Sequence, residues 1–268
     1  IYLYDGSPFY PKKDYLFEIV EKEKISLLGI SAKYIDTLKQ YQVNIKKKYK
    51  LVKLKTIAST GSPLVHESFN YVYKKIKKNI HLASISGGTD LVACFVGGNP
   101  NLPVYAGEIQ CKALGMDVKV FNENGKSINQ KKGELVCLST FPSKPIYFWN
   151  DKNNAKLFNA YFSKYSNIWH HGDYASITKN KGIIIYGRSD ATLNASGVRI
   201  GTSELYRIVE NIVGVDECIA VEQNFNNDTR VILFIKILNN IKIDNKFTNL
   251  IKNKIRNSLS PKHIPSKI

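Results

Sequence analysis

The stretch Tyr186-Gly-Arg-Ser-Asp190-Ala-Thr-Leu-Asn-Ala-Ser-Gly197-Val-Arg199-Ile-Gly201 sets two arginines, an acid and three glycines just ahead of a helix-like segment. The chain carries 39 basic residues, only five of them arginine, and two of those five stand eleven residues apart here. A planar guanidinium fork binds phosphate or carboxylate oxygens in fixed geometry, which a flexible ammonium does less well. The stretch therefore reads as an anion-binding loop. It also reads as a join, with one domain over residues 1–189 and a smaller one over 190–268.

Upstream of it, helical and strand periods alternate, which is the pattern of an α/β architecture. Asp14 to Lys24 has helical spacing, Ile25 to Ile30 is a short apolar strand, and Ser31 is placed to cap a helix over Ala32 to Gln40. Leu54 to Ser59 reads as a buried strand ending in the turn Thr60-Gly61-Ser62-Pro63. A helix from Val65 to Lys78 carries Phe69, Val72 and Ile76 on one face. A strand from His81 to Ser86 leads into Gly87-Gly88-Thr89-Asp90. Loops of this kind lie at the carboxyl ends of parallel strands, where open α/β sheets bind ligands. From Leu91 to Ser139 the pattern changes to short strands broken by Gly and Pro, a more antiparallel, barrel-like section. Downstream of the join come a charged helix over Ser203 to Ile212, strands over Val215 to Val221 and Val231 to Leu238, and a helix over Phe247 to Ser258.

Composition narrows the function classes. With 43% hydrophobic and 23% charged residues over 268 positions, the chain has the makeup of a globular protein. The net charge of +17 raises the question of nucleic acid. The lysines are spread through the chain in company with Ile and Asn, and no recognition helix, zinc spacing or aromatic RNA platform accompanies them, so no nucleic-acid partner is expected. No apolar run approaches the roughly 20 residues of a membrane helix, and no leader pattern opens the chain, so neither a membrane partner nor export is expected and the location is taken as cytoplasmic. Cys94, Cys111, Cys137 and Cys218 form no CxxC pair and read as reduced thiols rather than a zinc site or disulfide framework. The adjacent His170 and His171 point to opposite faces if they lie on a strand, which suits packing better than metal ligation.

Gly187-Arg188-x-Asp190 with Gly197-x-Arg199-Ile200 resembles the hinge motif of the adenylate-forming enzymes, the superfamily of acyl-CoA synthetases, luciferases and adenylation domains. Three further runs, Ser84-Ile-Ser-Gly-Gly-Thr-Asp90-Leu-Val-Ala-Cys-Phe-Val-Gly-Gly-Asn-Pro100, Gly107-Glu-Ile-Gln-Cys-Lys-Ala-Leu-Gly-Met-Asp117 and Trp169-His-His-Gly-Asp173-Tyr174, are similar to the acetoacetyl-CoA synthetase family within it. The resemblance spans essentially the whole chain. It implies an α/β fold of that superfamily: part of a large N-terminal domain, an αβ sheet plus a barrel-like section, followed by a truncated small α+β domain. It implies ATP, Mg²⁺ and CoA as cosubstrates and acetoacetate as the acid, joined through an acyl-adenylate with release of pyrophosphate and AMP.

The same resemblance distributes roles. Gly61, Ser62 and Pro63 would lie against adenine, although the tripeptide taken alone is more readily an ordinary strand-to-helix turn. Gly87, Gly88 and Thr89 would meet phosphate oxygens, with Thr89 donating, and Asp90 is a hard carboxylate suited to Mg²⁺. Asp173 would accept from both ribose hydroxyls. Arg188 and Arg199 would face ribose and phosphate, Arg199 with Thr89 acting in catalysis by offsetting charge on the α-phosphate; surface salt-bridging is the plainer alternative for both arginines, and the scarcity of arginine in this chain favours function over it. Ser196 and Gly197 would border the passage for CoA, and Asp190 would be the hinge. Ile1 and Ile268 read as cut ends, since domains usually end in exposed polar segments. The family's phosphate loop is then expected before Ile1 and its catalytic lysine after Ile268, leaving the 268-residue piece inactive in adenylation. Another short-chain acyl-CoA synthetase and a non-catalytic basic binding module remain as alternatives. The acid-pocket residues and the oligomeric state are not readable from this sequence.

Overall fold

The computed structural model describes residues 1–195, 198–225, 228–238 and 241–268. They pack as two units, one of residues 1–171 with 175–185 and one of residues 172–174 with 186–268.

The first unit opens with α1 (Tyr15–Lys22), β1 (Leu27–Ser31), α2 (Ala32–Gln40), α3 (Ile45–Lys48), β2 (Thr56–Thr60), α4 (His66–Tyr71) and β3 (His81–Ser84). The three strands are parallel with β2 in the centre, and the register pairs Ser31 with Thr60 and Ser59 with Ser84, so all three end along one edge. Around them Phe17, Ile35, Leu38, Ile57, Phe69, Val72 and Leu82 form a buried core. Ser31 accepts from the Tyr34 backbone N–H at 3.1 Å and starts α2 where the sequence places it, a cap worth about 1 kcal/mol. The helix expected through Lys78 is shorter. α4 passes into a single wider turn over Val72–Ile76, and Lys77 is extended. There its ammonium donates to the carbonyl oxygens of Leu51 and Leu54, each at 2.6 Å, which ties it to the preceding loop. Phe69, Val72 and Ile76 are nonetheless buried together, as their spacing requires.

The strand expected to run through Ser86 also stops early. Ile85 N–H still reaches the carbonyl of Ser59 at 2.9 Å, but β4 (Ser86–Gly88) leaves for another sheet. There it pairs antiparallel with β5 (Ala93–Gly97), which pairs in turn with β6 (Cys111–Lys112). A further sheet has the order β10-β9-β8-β7, formed by β7 (Val118–Phe121), β8 (Gly133–Cys137), β9 (Trp169–Ile177) and β10 (Ile183–Arg188). The section is antiparallel, as expected, and an antiparallel bridge between Ile109 and Ile183 links its two sheets. The helix α5 (Ala155–Tyr161) enters between β8 and β9 in the chain. Trp169, 2% exposed, is the centre of an aromatic core with Phe95, Phe141 and Phe162 around it.

The second unit corrects the loop reading of the opening stretch. β11 (Thr192–Ala195) and β12 (Val198–Gly201) form an antiparallel pair that sets Leu193 opposite Ile200, both buried. Apolar residues at alternate positions on each strand supply the reason. α6 (Thr202–Val209), β13 (Val215–Phe225), β14 (Asp228–Ile237) and α7 (Asn245–Ser258) follow, with β13 and β14 paired antiparallel. Ile200, Leu205, Val209, Val215, Leu233, Ile251 and Ile255 fill the core between them. Asp244 accepts from the Phe247 N–H at 2.7 Å and caps α7. Among the described residues no helix is long and apolar enough to cross a membrane.

Candidate active site

In the first unit the candidate residues gather at the carboxyl edge of the parallel sheet. Gly61 follows β2 directly, at φ +87°, and Gly61, Ser62 and Pro63 are exposed there. From the neighbouring strand β3 the chain continues through Ile85 into Gly87 and Gly88. Gly87 pairs with Cys94 and Gly88 with Ala93. A Cβ on Gly88 would come within 2.8 Å of the His171 ring, so the glycine lets strand and imidazole meet. Thr89 and Asp90 are exposed at the tip of this connection, with the Val92 N–H donating to the Thr89 carbonyl at 3.2 Å. The Asp90 carboxylate accepts from the Tyr161 hydroxyl at 2.5 Å.

The two histidines take different partners, as adjacent strand positions do. His171 is buried, with its Nδ1 accepting from the Trp169 indole N–H at 3.3 Å and its Nε2 facing the Gly87 carbonyl at 3.2 Å. That arrangement fixes the tautomer with the proton on Nε2. Its ring meets Phe95 edge to face at 4.8 Å. His170 faces the Glu134 carboxylate at 3.0 Å, and Glu134 also binds Lys164 at 2.6 Å. Both imidazoles serve packing and local pairing.

In the second unit the structure brings Asp173, Arg188 and Asp190 together. Asp173 is 6% exposed. An Arg188 Nη1 stands 3.5 Å from its Oδ1. The rest of the guanidinium fork closes on Asp190, Nε to Oδ1 at 2.9 Å and Nη2 to Oδ2 at 2.5 Å. Gly172, at φ +78°, makes room for this: a Cβ there would lie 2.7 Å from Arg188 Nη2. The Gly172 carbonyl accepts from the Ser189 N–H at 2.7 Å, which fixes the segment carrying Asp173 against the one carrying Arg188. The result is a buried carboxylate with an exposed guanidinium beside it. Arg199 lies in β12 opposite Asn194 by its backbone; its side chain lies outside the described residues, as do Ser196 and Gly197.

Sequence reasoning missed Tyr161 and Glu134. Tyr161 had a signal, since Leu157 and Tyr161 stand four apart in a helix; Glu134 lies in β8 with no pattern to mark it.

No family model matches the chain. It is 48% identical over 266 residues to the acetoacetyl-coenzyme A synthetase of Rhizobium meliloti, a match that takes in 99% of this chain and 41% of that protein. The solved acetoacetyl-CoA synthetase of Streptomyces lividans superposes with a TM-score of 0.88 at 34% identity, over 99% of this chain and 41% of that one. An anthranilate CoA ligase solved with anthranoyl-AMP shares the fold at a TM-score of 0.78 and 15% identity, over 99% of this chain and 49% of that one. The chain spans about two fifths of the length of the acetoacetyl-CoA synthetases it matches. Along its whole length it is a homologue of acetoacetyl-CoA synthetases, and its fold is that of the adenylate-forming enzymes.

Proposed function

We propose that this chain works as part of an AMP-forming ligase that joins acetoacetate to CoA at the expense of ATP. The similarity of 99% of this chain to part of the Rhizobium meliloti synthetase carries this reading, and the Asp173–Arg188 pairing supports it. In the first half-reaction a carboxylate oxygen of acetoacetate bonds to the α-phosphorus, the bond from that phosphorus to the bridging oxygen breaks, and pyrophosphate leaves. In the second the sulfur of CoA bonds to the acyl carbon, the acyl–oxygen bond breaks, AMP leaves and the thiol proton passes to solvent.

Within that scheme Asp173 accepts from the ribose hydroxyls, its burial making it a fixed acceptor. Arg188 and Arg199 offset the charge of the α-phosphate region. Gly61, Ser62 and Pro63 border the adenine, and Gly87, Gly88 and Thr89 the phosphates, Thr89 donating through its hydroxyl. Ser196 and Gly197 border the CoA passage, and Asp190 is the point about which the small domain turns. Asp90 offers one hard carboxylate. That suits Mg²⁺, which uses few protein ligands and takes phosphate oxygens for the rest, and when bound it neutralises phosphate charge. The protein acts on small molecules in the cytoplasm, without nucleic acid or membrane.

The test is pyrophosphate release by the full-length protein with ATP, Mg²⁺ and CoA, comparing acetoacetate with acetate, propionate and butyrate. Preference for acetoacetate is expected. Preference for another acid discards the substrate and keeps the ligase; no turnover by folded protein discards both.

A further inference from the structure

We propose that Tyr161 is a positioning residue that presets the Thr89–Asp90 turn for the triphosphate, an inference that rests on the ligase reading above. Its ring stacks on Trp169 with centroids 3.8 Å apart and planes 16° from parallel. Trp169 is itself held by Phe95, Phe141 and Phe162. The Tyr161 ring therefore has a rigid backing, and its hydroxyl is aimed by the core rather than by solvent.

That hydroxyl donates to Asp90 Oδ2 at 2.5 Å, although Asp90 is exposed. A bond from a neutral hydroxyl to a carboxylate at such a length belongs to the strong, charge-assisted kind. On the other side of Thr89, Gly88 is fixed by its pairing with Ala93. Thr89 is thus suspended between two anchored neighbours. Beyond Asp90, Leu91 is fully buried and Val92 sits at φ +49°. A β-branched residue adopts that conformation only where its surroundings impose it, and such sites cluster where a loop is held ready for a ligand. The turn is over-determined at both ends, and Tyr161 is the tie among these that acts side chain to side chain on a group proposed to face the nucleotide.

Tyr161→Phe keeps the stacked ring and removes the bond. In the full-length protein it should lower kcat for pyrophosphate release by about 10- to 100-fold, the cost of a slightly misplaced phosphate contact. KM for CoA should stay unchanged. The melting temperature should stay within about 2 °C of the parent. Asp90→Ala removes the same tie from the exposed side, together with the carboxylate proposed for Mg²⁺, and the double variant should be no slower than Asp90→Ala alone. Wild-type turnover by Tyr161→Phe overturns the proposal, and so does a double variant whose loss is the product of the single losses. If the parent protein turns over no acid, the ligase reading fails separately. The clamp is then judged by calorimetric titration with ATP: weakening by Tyr161→Phe that disappears in the Asp90→Ala background supports it, and unchanged binding by Tyr161→Phe, or weakening that persists in that background, overturns it.

Discussion

Gly187 sits at φ +121° in the segment that leads into the second unit, and a Cβ there would overlap Ser203 Oγ and come within 2.5 Å of Ser203 Cβ. Ser203 lies in the first turn of α6, and its hydroxyl donates to the Tyr186 carbonyl at 2.6 Å. The serine therefore cannot turn aside without giving up that bond. Gly187→Ala incurs about 1–3 kcal/mol for a side chain in a backbone region that only glycine enters freely. Losing the Ser203 bond adds about 1 kcal/mol. The sum, about 2–4 kcal/mol, corresponds to a fall on the order of 10–25 °C in the melting temperature of a unit this small. Scanning calorimetry on the 268-residue chain measures it. Ser203→Ala should cost only the hydrogen-bond share, and Gly187→Ala with Ser203→Gly should relieve the overlap but keep both the backbone strain and the loss of the Ser203 bond. A Gly187→Ala chain melting within about 2 °C of the parent would refute the argument that Gly187 is required by the seating of α6.

Three other outcomes are expected. Asp173→Asn should leave the fold intact and weaken ATP binding by the full-length protein about tenfold or more, measured by calorimetry, because an amide accepts poorly from two hydroxyls at once and a charged acceptor is worth more than a neutral one. Burial pushes the Asp14 carboxyl up, but the Lys48 ammonium at 2.7 Å, a backbone bond and the Tyr49 hydroxyl at 3.2 Å outweigh it, so its pKa lies below the ordinary 3.8. A depressed folded pKa gives stability that is present above the ordinary carboxylate value and is lost as pH falls through the folded one; Lys48→Met should therefore move acid unfolding of the first unit to higher pH, followed by circular dichroism. Burial also pushes the Cys137 thiol up, so iodoacetamide at neutral pH should modify it far more slowly in the folded chain than in urea, as peptide mapping will show.

Local signals carried the elements whose ends are chemically marked. Ser31 capped α2 as its position demands, and Asp244 did the same for α7 one turn before the expected start. The two elements that ended early did so for reasons far away in sequence. Lys77 left its helix for carbonyl oxygens 23 and 26 residues upstream, and the chain after Ser84 changed sheets because β5 offered β4 a partner. Neither event has a local signature. The Leu193–Ile200 pairing was legible in principle, since both residues alternate with polar neighbours, but the glycines and arginines of that stretch invited a loop reading. Tyr161 lay in a segment left without a reading, so its hydroxyl could not be matched to Asp90 across 71 positions of chain.

Arginine scarcity pointed to Arg188, and surface salt-bridging stood as the plainer account of it; the geometry unites the two. The Arg188 side chain is 48% exposed and that of Asp190 64% exposed, so solvent screens their bidentate bond and makes it weaker than a buried pair of the same geometry. Asp173 beside them has a side chain only 9% exposed, and removing its charge from water is costly unless donors compensate it. A nucleotide arriving here would meet an acceptor that is fixed and a donor that is held in place by a weak, breakable pairing. Turning the Arg188 fork from Asp190 to a phosphate costs little, and it releases the aspartate at the very residue proposed to let the small domain move. The ion pair therefore reads as a resting position for the guanidinium, and the same bond that argues against Arg188 as a stabilising residue argues for it as a ligand-responsive one.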